Sequence, residues 1–150
     1  MIAVIQRVNK ATVYSDGILS GSVGKGLYIL LGVINGDEEG DAVSLAEKIS
    51  KLRIFSDENG KMNLSLKDLD LGALVVSNFT LGANYSHGNR PDYFNSAHPS
   101  LAEPLFEFFK IELKKRISYV ESGVFGSDMK TDMETDGPVT IVMDSVLLKK

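Results

Sequence analysis

The sequence predicts an α+β fold in which two amphipathic helices cover one face of a mainly antiparallel β-sheet. Runs of strand-like residues stand at both ends of the chain, and two segments with helical periodicity lie between them. The chain has 150 residues, of which 43% are hydrophobic, so it can bury one sizeable core, and its composition does not shift along its length. We therefore expect a single domain over residues 1–150.

The first third of the chain is predicted to be β-structure. Residues 2–8 are rich in Ile and Val, and residues 11–14 and 18–23 flank Asp16-Gly17, a typical turn of a two-residue β-hairpin. Residues 26–34 form a continuous apolar run of strand length, as expected for a strand that is buried on both faces. We place this strand at the centre of the sheet.

Periodicity predicts the two helices. From residue 41 onwards, hydrophobic residues recur every three or four positions, with Glu and Lys between them. The second helix is predicted at residues 101–115, where Ser100 and Glu103 match a capping box with Ser100 as the N-cap. The apolar positions are Leu45, Ala46, Ile49 and Leu52 in the first helix, and Leu101, Leu105, Phe108, Phe109 and Leu113 in the second.

Strands and loops make up the remainder of the chain. Strands are predicted at residues 73–81, 117–121, 129–134 and 138–148. Residues 82–99 show no sustained period and are predicted to form a long loop. Loops of this length are uncommon in a compact domain and often carry function.

The composition argues against several classes of protein. Without Cys, the chain can form no disulfide, thiol nucleophile or cysteine-ligated metal site. A net charge of −4 counts against a broad grip on a nucleic-acid duplex, and we interpret the basic runs at residues 114–116 and 149–150 as solvated. No run approaches the ~20 apolar residues of a membrane span, and residues 1–8 enter a strand directly, so we expect a soluble, cytoplasmic protein.

Most standard catalytic motifs are missing from the sequence. It contains no Gly-x-Ser-x-Gly elbow, no His-Glu-x-x-His motif and no phosphate-binding glycine loop, which disfavours acyl-serine, metal and nucleotide-hydrolysis chemistry. His87 lies in the predicted loop, and we interpret it as a solvated histidine rather than a general base.

Two stretches can carry chemistry of another kind. In residues 77–80 (Ser-Asn-Phe-Thr), strand alternation places Asn78 and Thr80 on one side, where an amide and a hydroxyl can orient a water. Residues 135–140 (Thr-Asp-Gly-Pro-Val-Thr) predict a rigid turn that can present bare backbone to a ligand, and a cis bond there would make a small polar clamp. The alternative for residues 77–80 is an ordinary strand in which Phe and Thr serve only β-propensity, and the alternative for residues 135–140 is a plain β-turn.

Five motifs taken together resemble the D-aminoacyl-tRNA deacylase family. They occur in order and span essentially the whole chain, at residues 6–8 (Gln-Arg-Val), 77–81, 88–91 (Gly-Asn-Arg-Pro), 123–129 and 136–140. The resemblance implies a barrel-like α+β fold and an enzyme that hydrolyses the ester between a D-amino acid and the 3′-terminal adenosine of tRNA. It also implies that the enzyme removes glycine from mischarged tRNA. It implies a homodimer and no metal or organic cofactor.

The resemblance also assigns roles to residues. Ser77, Asn78, Phe79 and Thr80 would line the scissile ester, with backbone N–H groups near Phe79 and Thr80 polarising its carbonyl. A cis Gly137-Pro138 pair would enter the partner subunit's site, hold the substrate's α-amino group and exclude an L-side chain. The terminal adenine would be bound by Phe125, Gly126 and Met129, and Arg7 would brace the Gly-Pro turn.

Some residues depart from the family pattern, and some roles stay open. Asn78 replaces the usual Gln, Thr135 stands near the chemistry in place of Asn, Gly82 replaces a bulkier residue, and Ser127 replaces Ala. Thr80 could be a nucleophile, although we favour activation of water by the tRNA 2′-hydroxyl because no base is adjacent to Thr80 in sequence. Two alternative functions remain, a non-catalytic dimer that binds the CCA end and an editing deacylase with relaxed chirality.

Overall fold

The structure is a computed structural model that describes residues 1–148, so the basic pair at residues 149–150 lies outside it. Within residues 1–148, eight strands and three helices follow each other. They are β1 (Ile2–Ser15), β2 (Ile18–Val23), β3 (Gly26–Gly32), α1 (Glu39–Ser50), β4 (Phe55–Ser56), β5 (Met62–Leu64), α2 (Leu66–Leu69), β6 (Gly72–Ser77), α3 (Pro99–Lys114), β7 (Val120–Ser122) and β8 (Met129–Asp144). Short 3₁₀ turns occupy Phe79–Gly82 and Ser145–Leu148.

The main sheet confirms the predicted α+β class and the central position of β3. Its strand order is β2-β1-β3-β6-β7, and β8 pairs with the other edge of β1. Strand β1 pairs antiparallel with β2, β3 and β8, whereas β6 is parallel to both β3 and β7. The predicted hairpin is also confirmed, because Ser15 pairs with Ile18 across Asp16 and Gly17, which both have positive φ.

The sheet curls until β2 approaches β7. The Ser22 amide donates to Glu121 Oε2 at 2.8 Å, and the Tyr119 hydroxyl donates to the Ser22 carbonyl at 3.1 Å. Gly21 permits this approach, because a Cβ there would lie 2.9 Å from both Leu74 Cδ1 and the Ser122 carbonyl oxygen. The result is a nearly closed, barrel-like sheet.

The larger core lies between the sheet and the helices α1 and α3. Its fully buried members come from both layers, because each helix turns an apolar face inward. They include Ile5 and Ile29 from the sheet, Leu45 and Ile49 from α1, and Phe106 and Phe109 from α3. A second cluster around Val13, Tyr28 and Leu74 fills the inside of the curled sheet. Among the described residues, no helix has both the length and the hydrophobicity that a membrane crossing needs.

Both predicted helices form, but the predicted capping box is wrong. Helix α3 begins at Pro99, and the N-cap is His98, whose Nδ1 accepts a hydrogen bond from the Ser100 amide at 3.2 Å. Proline is favourable at the first helical position because its fixed φ suits the helix and it has no N–H to satisfy. Pro99 therefore moves the start of the helix two residues ahead of the predicted one.

Several strand boundaries also differ from the prediction. Strand β6 ends at Ser77, because the Asn78 side chain caps the 3₁₀ turn at Phe79–Gly82. The two predicted C-terminal strands are one strand, β8, and a 3₁₀ turn replaces the last four predicted strand residues. The strand predicted at residues 117–121 begins only at Val120. The short helix α2, capped by Ser65, was not predicted.

Candidate active site

A cavity of about 540 Å³ opens beside the carboxyl ends of β3 and β6, next to the start of α3. Its lining is mostly apolar, with a few hydroxyl, amide and imidazole groups, as is usual for small-molecule sites. Ser77 at the end of β6 and Asn78 and Phe79 after it line the cavity, as do Phe125, Gly126, Ser127 and Met129 before and at the start of β8. The other lining residues are Leu31, Val33, Tyr93, Ser96, Ala97, His98, Pro99, Ala102 and Phe106.

Asn78 sets the geometry of the segment at residues 77–80. Its backbone amide donates to the Leu31 carbonyl at 2.9 Å, which ties the end of β6 to β3. Its side-chain Oδ1 accepts from the Thr80 amide at 3.1 Å and also from the Thr80 hydroxyl. The predicted pairing of Asn78 with Thr80 on one side is thus present, although it arises from a capped turn and not from strand alternation. Thr80 is exposed and is not among the residues that line the cavity.

The loop after this turn supplies site residues that the sequence did not reveal. The Ser96 hydroxyl donates to the Phe79 carbonyl at 2.6 Å, and the Tyr93 ring meets the Phe79 ring edge-on with centroids 5.1 Å apart. His98 lines the cavity from the N-cap of α3, whereas His87 is exposed and does not line it. The aperiodic loop was a signal for function, but the sequence contains no mark of which of its residues fold back on Phe79.

An aromatic pair forms the part of the cavity near β8. The Phe125 ring packs at 50° against the buried Phe106 ring of α3, with centroids 5.8 Å apart. Gly126 has φ +78°, a conformation that L-side chains rarely adopt, and it turns the chain towards Met129 at the start of β8. This region offers flat apolar surface of the kind on which a planar base can stack.

The segment at residues 136–139, here named the Gly-Pro segment, lies apart from the cavity. Strand β1 pairs at Gln6 with Thr140 and at Val8 with Thr135, so the Gly-Pro segment leaves the ladder as a bulge. The Gly137-Pro138 peptide bond is cis, and both residues are exposed.

Arg7 holds the Gly-Pro segment against the body of the molecule. Its Nε donates to the Asp136 carbonyl at 3.1 Å and lies 3.1 Å from Asp136 Oδ2, while Nη1 donates to the Ile54 carbonyl at 2.7 Å. Thr135 is exposed in β8. None of Arg7, Thr135, Gly137 and Pro138 lines the cavity of its own chain.

The candidate residues therefore form two groups. One surrounds the cavity, with Thr80 adjoining it through Asn78, and the other presents the Gly-Pro segment on the surface. Within residues 1–148, no cluster of His, Asp and Glu is suited to hold a metal ion.

Comparison with known proteins identifies the chain. Residues 4–144 match the family model for D-Tyr-tRNA(Tyr) deacylase, and curated relatives with about 50% identity over nearly the whole chain are deacylases, so the chain is an enzyme of the hydrolase class. The chain belongs to this family. It is 51% identical over 148 residues to the D-aminoacyl-tRNA deacylase of Persephonella marina, covering 99% of this chain and 100% of the relative. It is also 51% identical over 146 residues to that of Akkermansia muciniphila, with 97% of each chain covered.

Solved structures share the fold of the chain. The c-Myc DNA unwinding element binding protein superposes with a TM-score of 0.90 at 35% identity, over 96% of this chain and 98% of that one. A probable eukaryotic D-amino acid tRNA deacylase superposes with a TM-score of 0.81 over 95% and 98% of the two chains. At 14% identity, the second match supports the fold alone. The predicted family and barrel-like α+β fold are confirmed.

Proposed function

We propose that the protein hydrolyses the ester of D-aminoacyl-tRNA and releases a free D-amino acid and tRNA. One observation carries the proposal beyond family membership: two motifs some 45 residues apart in sequence, at 77–79 and 125–129, meet around one cavity. We place this reaction in the cytoplasm, where tRNAs are charged.

The cavity residues divide the substrate between them. The terminal adenine stacks against Phe125 and is bordered by Gly126 and Met129, in the apolar part of the cavity. The ester then lies beside residues 77–79. Water adds to the ester carbonyl carbon, and the bond from that carbon to the ribose 3′-oxygen breaks. One proton of the water passes to the 3′-oxygen, the other is released to solvent, and the amino acid leaves as a carboxylate.

A backbone amide of the 3₁₀ turn stabilises the developing oxyanion. The Thr80 amide already donates to Asn78 Oδ1. We therefore assign the oxyanion contact to the Phe79 amide, whose peptide plane belongs to a turn that the Ser96 hydroxyl holds in place.

Chirality is enforced by a second copy of the chain. Gly137 and Pro138 are exposed, Arg7 binds the segment, and none of its residues lines its own cavity, so the segment can reach a cavity only in a partner subunit. Its backbone receives the α-amino group and leaves no room for an L-side chain. A D-side chain points out of the site and makes few contacts with the enzyme, so its identity matters little. Glycine, which has no side chain, is accepted as well.

The test is hydrolysis of D-Tyr-tRNA, L-Tyr-tRNA and Gly-tRNA by the purified protein. We expect release of D-Tyr and Gly with L-Tyr spared. Hydrolysis of L-Tyr-tRNA at a comparable rate would favour the editing enzyme with relaxed chirality. Binding of tRNA ends without release of any amino acid would favour the non-catalytic dimer.

Gly137→Ala tests the role of the Gly-Pro segment. A Cβ at residue 137, where φ is +154°, would lie 2.2 Å from the Val139 amide nitrogen, so the segment must shift. Misplacement by about 1 Å can lower a rate by about 100-fold, and we expect D-Tyr-tRNA hydrolysis to fall by about 10- to 100-fold. Gly40→Ala is the matched control, because a Cβ at residue 40 meets nothing within 4 Å. Unchanged rates and unchanged selectivity in Gly137→Ala would contradict the role of the segment.

A further inference from the structure

Two tyrosines lead from the cavity out onto the surface of the long loop. Tyr93 lines the cavity, where its ring meets the Phe79 ring edge-on with centroids 5.1 Å apart, and it is still 37% exposed. Tyr85 is not among the cavity-lining residues and is 79% exposed. We call Tyr85 and Tyr93 the tyrosine pair. Single exposed rings are common on protein surfaces, whereas exposed rings that continue out of a ligand cavity indicate a binding surface.

Backbone pairing within the loop fixes Tyr85 relative to Tyr93. Asn84 and Asp92 exchange two backbone hydrogen bonds of 2.8 and 2.9 Å in an antiparallel bridge, and a contact of 3.2 Å joins their side chains. Successive side chains alternate between faces, so Tyr85 and Tyr93, each one residue further along, share the face opposite to that contact. Diagonal neighbours of this kind lie about 7–8 Å apart, which is within reach of aromatic side chains.

The Asn84 side chain also holds the backbone beyond Tyr85. Its Oδ1 accepts hydrogen bonds from the Ser86 amide at 3.1 Å and from the Ser86 hydroxyl at 2.8 Å, which forms an Asx turn around Tyr85. Tyr85 is therefore presented to solvent by a loop that is hydrogen-bonded on both of its sides. A ring that is held in this way can bind a flat partner at a low cost in conformational entropy.

We propose that the tyrosine pair is a stacking surface for the single-stranded 3′ end of tRNA, and that Tyr85 stacks on one of the two cytosines before the terminal adenosine. The inference rests on the proposed function, which places the adenine beside Phe125 inside the cavity. The preceding nucleotides must then leave the cavity across its rim, where Tyr93 stands. Aromatic side chains that stack on successive bases are a general means of binding single strands.

The charge of the chain favours stacking as the source of this affinity. A net charge of −4 gives little overall attraction for a polyanion, so a broad electrostatic contact does not serve here. Every base has an apolar face, and stacking on it tolerates any sequence. Arg90 is exposed in the same loop, between Asn84 and Asp92, and can contact a phosphate of the same strand.

The test measures the binding of short, uncharged, fluorescently labelled RNAs to the purified protein. One RNA ends in CCA, and the other has abasic nucleotides in place of the two cytosines. Tyr85→Ala should weaken binding of the CCA RNA by about 5- to 150-fold, the value of one base–aromatic stack, and Tyr85→Phe should bind like the wild type. With the abasic RNA, Tyr85→Ala and the wild type should bind alike, because no base is left to stack.

Hydrolysis of D-Tyr-tRNA gives a second readout. Tyr85→Ala should raise KM and change kcat little, because Tyr85 lies outside the cavity. Phe94→Ala is the matched control, since Phe94 is an aromatic residue of the same loop with 85% exposure and is not part of the tyrosine pair. We expect this control to change affinity and KM by less than about twofold, as is usual for surface positions.

Three outcomes would overturn the inference. They are equal losses of affinity in Tyr85→Ala and Phe94→Ala, a loss in Tyr85→Ala that persists in full with the abasic RNA, and sedimentation of Tyr85→Ala as a monomer where the wild type is a dimer. The last would assign Tyr85 to the contact between subunits. If the wild type releases D-Tyr and one of these outcomes occurs, only the stacking surface is wrong. If the wild type binds the CCA RNA through Tyr85 but releases no D-Tyr, the proposed hydrolysis fails and the stacking surface stands.

Discussion

At the scale of single residues, Arg7 links parts of the molecule that are distant in sequence. Its guanidinium joins the Asp136 carbonyl to the Ile54 carbonyl while its own side chain is only 12% exposed. Planar guanidinium can make such divergent contacts, whereas a lysine ammonium on a flexible stem cannot satisfy both carbonyls in the same way. One side chain therefore fixes where the Gly-Pro segment stands.

We expect Arg7→Met to destabilise the protein by roughly 1–3 kcal/mol, because two partly buried carbonyl groups lose their donor. The midpoint of urea unfolding measures this loss, and Arg7→Lys should recover only part of it. Lys10→Met is a control on the same strand. Its ion pair with Glu134 spans 3.9 Å between exposed side chains, so its loss should cost less than about 0.5 kcal/mol. Equal effects of the Arg7 and Lys10 changes would contradict the bracing role.

The candidate site shows what can be predicted for single residues. The motif resemblance pointed to Ser77, Asn78, Phe79, Phe125 and Met129, and all of them line one cavity. It could not point to Ser96, because the hydrogen bond to the Phe79 carbonyl depends on the path of an aperiodic loop. Loop paths are set by tertiary contacts, which leave no periodic trace in the sequence.

At the scale of elements, the end of helix α3 carries a cluster of charged side chains around Glu112. Glu112 is nearly buried, and its carboxylate accepts hydrogen bonds from Lys115 and, at 2.8 Å, from Arg116 Nη1. These two donors hold the pKa of Glu112 below its ordinary value of 4.5. Stability that depends on this carboxylate is therefore complete above pH 4.5 and is lost as the pH falls through the lowered pKa.

We expect Glu112→Gln to unfold at lower urea concentration than the wild type at pH 7. The gap should narrow below pH 4.5, because the wild type then protonates Glu112 and loses the same contacts. Urea titrations at pH 7 and pH 3 measure this difference. Glu58→Gln, at an exposed loop position, should shift stability by less than about 0.5 kcal/mol at either pH. A gap that stays constant across this range would show that the charge of Glu112 does not matter.

The secondary-structure elements with a strong periodic pattern of hydrophobic residues could be predicted from the sequence. The buried strand β3, the hairpin at Asp16-Gly17 and the two long helices have strong local patterns, and all of them form. The exact ends of the helices and strands could not be predicted in this way, because they depend on side chains that form hydrogen bonds with nearby backbone groups. The Asn78 side chain ends β6, and Pro99 with His98 starts α3, in places where hydrophobic spacing carries no information.

At the scale of the whole molecule, the proposed site is complete only in a dimer. No residue of the Gly-Pro segment lines the cavity of its own chain, and Gly137 and Pro138 are exposed on the surface. In a two-fold dimer, each chain can place its Gly-Pro segment in the cavity of the other chain, so both cavities are completed by the same contact. We expect sedimentation at micromolar concentration to give twice the chain mass of 16.3 kDa.

Mixing two defective variants tests the exchange directly. A chain with Phe125→Ala keeps its Gly-Pro segment but loses an aromatic ring that lines its cavity, and a chain with Gly137→Ala keeps an unaltered cavity. Random 1:1 reassembly makes about half of the dimers mixed, and each mixed dimer contains one intact composite site, so we expect recovery of about a quarter of the wild-type activity. Unmixed variants at the same total concentration are the control. Failure to recover activity in proven heterodimers would show that each cavity works without its partner.

The pairing of β1 with β8 has a consequence for how the chain acquires its fold. One edge of β1 pairs with β2 and β3, which follow it closely in sequence. The other edge pairs with β8, which begins at Met129, so that Ile2 pairs with Asp144 near the end of the chain. During synthesis that edge stays open while the whole middle of the chain is made, and an open edge is a template for pairing with other chains. Closing so long a loop is also slow, because its entropy is lost before its contacts form. We therefore expect the yield of folded protein in the cell to depend more on the pairing of the last strand, β8, than on the β1-β2 hairpin, which can form first.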